Sequence, residues 1–129
     1  MIDGRGHQYL RAKDREWGDA PEGVRYVTFT TDAGDSGRPL TVLSEYPPNH
    51  RVEPHTHGCD YIEVILEGEL AVGKVHLVEG DVRIMQAGAG YGPLTSGSSG
   101  CRVLTIFDRR DGSPIRWLGR DVAASLLEA

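Results

Sequence analysis

The chain has 129 residues and a mass of 14.1 kDa, a single domain's worth of sequence, and at this size folding buries roughly two-thirds of the unfolded surface without disulfide staples. A net charge of −5 leaves nothing basic to track phosphates, which excludes an ordinary nucleic-acid binder. Apolar residues at 39% and charged residues at 26% fit a soluble globular protein, and 17 Gly with 7 Pro point to short elements joined by turns, hence an all-β fold.

Residues 1–23 read as a polar N-terminal arm with Trp17 as its one large anchor. They carry no apolar core of a signal segment, and no apolar run approaches the ~18 residues of a membrane span. With only two cysteines, Cys59 and Cys101, the expectation is a reduced, cytoplasmic protein without membrane contact.

A barrel or sandwich is expected over 24–118. Its first strand is Val24–Thr31, whose alternation puts Arg25, Val27 and Phe29 on one face. The turn-forming stretch DAGDSGRP leads to a strand at Leu40–Tyr46, which Pro47 and Pro48 end. Tyr61–Leu66 is a third strand, apolar except for Glu63. Glu67-Gly68-Glu69 reads as a turn, Leu70–Val72 and Lys74–Val78 as short strands around Gly73, and Val82–Met85 as another strand. Residues 86–100 are glycine-rich and read as an ordered loop, followed by a strong strand at Cys101–Phe107. In the tail, 119–129, Asp121–Glu128 predicts a short helix, with Val122, Leu126 and Leu127 on one face.

Three of the five histidines fall between residues 50 and 57. His55 and His57 are two apart, so on extended chain they project from one face, roughly 6.6 Å apart along it. Two imidazoles so placed can converge on one ion at about 2.0–2.1 Å. Tyr61, Glu63 and Ile65 share one face of their strand, and Ile62, Val64 and Leu66 share the other. A carboxylate on an apolar strand is costly to bury unless it is paired or binds a metal. Glu63 therefore completes a two-His-one-carboxylate set with His55 and His57, or it pairs with an inward arginine such as Arg83. Arg83 itself faces either the cavity, where it would bind a substrate carboxylate, or solvent. Cys59 shares the odd-numbered parity and is a weaker candidate ligand. The apolar outer face needs cover, which predicts a homodimer.

The stretch around His55 resembles the first motif of the cupin superfamily, which runs glycine, five residues, His-x-His, three or four residues, Glu, six residues, Gly. Here Asn49 stands at the first glycine, where a left-handed backbone suits Asn nearly as well, and His55-Thr56-His57 and Gly68 match. Gly80, Asp81 and Gly88 match the second motif, so the resemblance covers roughly 40–107. The arm and the Tyr46-Pro47-Pro48 segment look like the small single-domain cupins of the anti-sigma-factor and acetylacetone-cleaving types. The resemblance implies a double-stranded β-helix (jelly-roll) barrel, RmlC-like, usually a homodimer, with a divalent metal (Fe, Zn, Ni, Mn or Cu) inside. Gln86 replaces the usual proline, and two ligand positions also depart from the family pattern. Tyr61 stands at the usual ligating Glu and Tyr91 at the usual third His, and a neutral phenol is a poor ligand.

Three functions follow. The first is a metal-dependent enzyme acting on a small oxygenated molecule by oxygenase, isomerase or lyase chemistry, with the ion on His55, His57 and Glu63. The second is a metal-free enzyme with His55 or Glu63 as base and Tyr61 or Tyr91 as acid. The third is a non-catalytic binding or sensing domain. Arg83 and Tyr91 are the candidate substrate-binding residues, and the expected ligand is apolar or aromatic with an oxygen or carboxylate handle.

Overall fold

The computed structural model describes residues 5–118. The strands are β1 (Gly18–Asp19), β2 (Arg25–Thr30), β3 (Leu40–Tyr46), β4 (Arg51–Val52), β5 (His55–Thr56), β6 (Tyr61–Val72), β7 (Val75–Val78), β8 (Val82–Met85), β9 (Leu94–Phe107) and β10 (Arg116–Trp117). All pairings are antiparallel. The main sheet runs β1-β2-β3-β9-β6-β7, with β4 also on β9 and β8 also on β6, and β10 pairs with β5. The strand spacing predicts an all-β barrel or sandwich, and the arrangement is the jelly roll that the cupin resemblance implies. The helix expected at Asp121–Glu128 lies outside the described residues. Among the described residues, no helix is long and apolar enough to cross a membrane.

Two long strands organise the barrel, and both differ from their sequence-based expectation. Glu67-Gly68-Glu69 is not a turn. It is a pair of register shifts within β6, between Ile65/Glu67 and Gly68/Leu70. The first half of β6 pairs with β8 and the end of β9, and the second half with β7 and the start of β9. The bend requires glycine. Gly68 has φ +75°, and a Cβ there would run into the Gly100 carbonyl, while Gly100 has φ +77° and its Cβ would lie 2.5 Å from the Tyr46 carbonyl oxygen.

The second difference lies in 86–100, where 94–100 is strand rather than loop. Ser and Gly there have low strand propensity, but tertiary partners override it. The buried Ser96 hydroxyl donates to the Pro47 carbonyl (2.6 Å) and accepts from the His50 amide (2.8 Å), which ties β9 to the chain entering β4.

Alternation places the core. Tyr61, Glu63 and Ile65 of β6 are buried, as are Val103, Thr105 and Phe107 of β9. Leu70, Tyr91, Leu94, Cys59 and Cys101 complete the cluster, and both cysteines are free thiols. Trp17 is held outside the barrel by the guanidinium groups of Arg25 (4.3 Å from the ring centroid) and Arg102 (5.9 Å). Asn49 adopts φ +55°, the left-handed conformation expected at its motif position.

Candidate functional site

The interior opens into a cavity of about 620 Å³. His55, His57, Tyr61, Glu63 and Tyr91 all line it; Arg83 does not. His55 is carried by the short β5 strand, which β10 holds by pairing Trp117 opposite His55. A bridge between the His55 and Tyr91 backbones brings the 86–93 segment to the same place.

Both imidazoles are fixed by backbone carbonyls. His55 Nδ1–H donates to the Glu53 carbonyl (2.8 Å) and His57 Nδ1–H to that of Ser113 (2.7 Å), so the network assigns a lone pair to each Nε2. The rings lie 5.1 Å apart, edge to face. Burial pushes His55 down to about 4 and lowers His57 from its ordinary value too, so both are neutral at pH 7.

The two nitrogens differ in what they meet. His55 Nε2 accepts the Tyr91 hydroxyl. Burial lifts the Tyr91 phenol above its ordinary range, so this is a neutral O–H···N pair. His57 Nε2 has no hydrogen-bond partner among the described residues. Burial raises Tyr61 as well, and its buried hydroxyl makes no well-formed hydrogen bond among them, although the Tyr91 hydroxyl and the Arg83 guanidinium lie close enough to act on it.

Glu63 is committed elsewhere. Its Oε1 accepts from Arg83 Nη2 (2.9 Å) and Nε (3.2 Å), and its Oε2 accepts from Thr105 Oγ1 (3.1 Å). Glu63 and Arg83 face each other directly across the β6–β8 ladder. Burial acts to lower the Arg83 pKa, but Glu63 and the two phenols outweigh it and hold the guanidinium charged. The guanidinium carbon sits 4.4 Å over the Tyr91 ring and 5.5 Å from the Tyr61 centroid.

Of the two alternatives left open for Glu63, this arrangement has the pair with Arg83. His55, His57 and Glu63 do not form a ligand set. Among the described residues, no three His, Cys, Asp or Glu side chains converge to hold an ion. The physical reason is that Arg83 neutralises the carboxylate and Tyr91 occupies the His55 nitrogen. As arranged, these donors do not fit a divalent metal. For the same reason Glu63 is not a free base, and Arg83 holds Glu63 from behind the cavity wall rather than facing a ligand. Cys59 turns to the Arg109 carbonyl (3.5 Å) and lies outside the cavity lining.

Thr105 was missed by sequence reasoning, although the Val103, Thr105, Phe107 alternation in CRVLTIF carries the signal. The Glu53 and Ser113 carbonyls have no side-chain signal at all.

Because the folded state holds His55 neutral down to about pH 4 while an unfolded imidazole protonates near 6.5, the unfolded chain binds more protons in that window. Stability is therefore expected to be full above pH 6.5 and to fall as pH drops from 6.5 to about 4. Urea midpoints measured across this range check it, and His55→Asn should flatten the slope.

An antiparallel barrel built on two bent strands around a lined cavity is a jelly roll. No protein-family model matches the chain, and no curated protein matches it. Solved structures do. A chain in the crystal structure of Rhodobacter sphaeroides SigE in complex with the anti-sigma ChrR is 21% identical, with a TM-score of 0.61, over 76% of this chain and 52% of that one. This chain thus spans about half the length of that relative. The polyketide cyclase RemF from Streptomyces resistomycificus is 18% identical over 91% of this chain and 90% of its own, with a TM-score of 0.71. An RmlC-like cupin protein from Ralstonia eutropha is 18% identical over 79% and 68%, with a TM-score of 0.64. The chain has the cupin fold.

Proposed function

We propose that this cupin is an enzyme that binds a small oxygenated organic molecule in its barrel and moves a proton on it. His57 Nε2 is the base, and the Tyr61 and Tyr91 phenols supply protons or hydrogen bonds to the ligand oxygen. One observation carries this reading. The polar groups inside the barrel pair with one another, leaving the His57 nitrogen with no hydrogen-bond partner among the described residues and the Tyr61 hydroxyl beside it without a well-formed one. A neutral imidazole beside protonated phenols is the equipment for general acid–base work near pH 7. The test is deuterium uptake from D₂O at the α-carbon of a ketone, followed by NMR with 1-tetralone and cyclohexanone, with and without chelator. Exchange above background that survives the chelator supports the reading, and exchange abolished by it overturns the reading.

A second reading keeps a divalent metal on His55 and His57. It is favoured by the two Nδ1–carbonyl bonds, which are the supports that metal-bound imidazoles receive. It requires Tyr91 to leave His55, and metal analysis of the purified protein decides it.

The protein is further proposed to be a cytoplasmic homodimer. Ile84, Ile62 and Ile106 lie side by side across β8, β6 and β9 on the outer face, with exposures of 75%, 41% and 38%. Such an exposed apolar stripe supports the reading of a self-association surface. The wild type is expected to sediment as a dimer and Ile84→Glu as a monomer in analytical ultracentrifugation. A wild-type monomer removes the proposal.

A further inference from the structure

The cavity wall has a marked chemistry. Much of it is a belt of rings packed edge to face or tilted. His57 lies 5.0 Å from both Tyr61 and Phe107, which are 5.3 Å from each other. His55 lies 4.7 Å from Tyr91 and 5.5 Å from Trp117. Much of the remaining wall is aliphatic, including Val24, Val42, Val52 and Ile115. Ring faces and edges of this kind favour another flat π system over a saturated one of equal bulk.

The charges are equally telling. Arg51 is the one Lys or Arg among the lining residues, and Glu53 holds it at 2.8 Å. Arg83, behind the wall, is held by Glu63. Three imidazoles line the cavity. His55 and His57 are neutral at pH 7, and His50 Nδ1 lies 3.6 Å from the exposed Glu22 carboxylate, so it too already faces a partner. An entering carboxylate would lose its hydration and meet no cation that lacks a carboxylate partner already.

We infer that the ligand of this cavity is an uncharged, flat, conjugated molecule bearing a hydroxyl or carbonyl oxygen, of the phenol or aromatic-ketone class, and not a carboxylate or phosphate. The inference rests on the reading that this cavity binds the substrate, and it replaces the carboxylate handle that the sequence suggested. A volume of about 620 Å³ lies within the range of roughly 300–1,000 Å³ usual for small-molecule sites, so a two-ring ligand has room.

Three probes of similar ring skeleton test it by calorimetry on the intact protein: 2-naphthol, 2-naphthoate and decahydro-2-naphthol. The expected result is that 2-naphthol binds about 10-fold or more tightly than either of the others, the first difference reporting charge and the second flatness. Naphthoate binding as tightly as naphthol overturns the charge argument, and the saturated alcohol doing so overturns the aromatic one. If no probe binds while cyclohexanone still exchanges deuterium, the ligand class is wrong and the proton-transfer reading survives. If no probe binds and neither ketone exchanges, both fall.

Discussion

Glu63→Ala is expected to destabilise the protein by about 3–5 kcal/mol, the usual cost of removing one partner of a buried ion pair. Glu63 and Arg83 have side chains only 5% and 10% exposed, so water cannot replace the lost carboxylate. The variant strands a guanidinium whose Nη1 already has no hydrogen-bond partner among the described residues, and it also frees the Thr105 hydroxyl. Against a total stability of about 5–15 kcal/mol, this is a large fraction. The double variant Glu63→Met with Arg83→Met removes both charges at once. It is expected to recover most of the loss, because apolar side chains of similar bulk replace such pairs at little or no cost. Urea midpoints of the three proteins decide it. A Glu63→Ala protein with an unchanged midpoint would show that Arg83 finds another counter-charge.

The parity of β6 was legible in the sequence. Tyr61, Glu63 and Ile65 had to share a face, and strong strand formers left no competing register. The partner of Glu63 was not legible, because a carboxylate facing inward satisfies its burial cost equally well with an ion or with Arg83. Which one wins depends on β6–β8 register, a contact between residues twenty apart. The strand at 94–100 was hidden for a related reason. Its Ser and Gly residues look like loop, and only the buried Ser96 bonds to Pro47 and His50 hold them extended. The His55–Tyr91 pair shows both sides of this. The cupin motif spacing brings position 91 to position 55, but the outcome at His55 Nε2 depends on a phenol standing where an imidazole is usual.

His57→Gln is expected to slow proton transfer by about 10²–10⁴-fold, the range by which a positioned base accelerates such steps. The argument turns on the difference between two similar residues. His55 and His57 are both buried, neutral and anchored through Nδ1, but Tyr91 caps only His55. Loss of His57 therefore removes the base itself, whereas Tyr91→Phe removes a donor and should cost less. A simple packing role for His57 predicts something different, a fall in melting temperature with the rate per folded molecule intact. The pH profile separates the two further. Because burial lowers His57 from its ordinary value, wild-type exchange should stay high as pH falls to about 6.5 and decline only below it, as the base protonates. His57→Gln should lose that acid limb along with the rate. If His57→Gln keeps the wild-type rate and limb while His55→Gln loses both, the base is His55 acting through the Tyr91 hydroxyl, and the assignment made here is reversed.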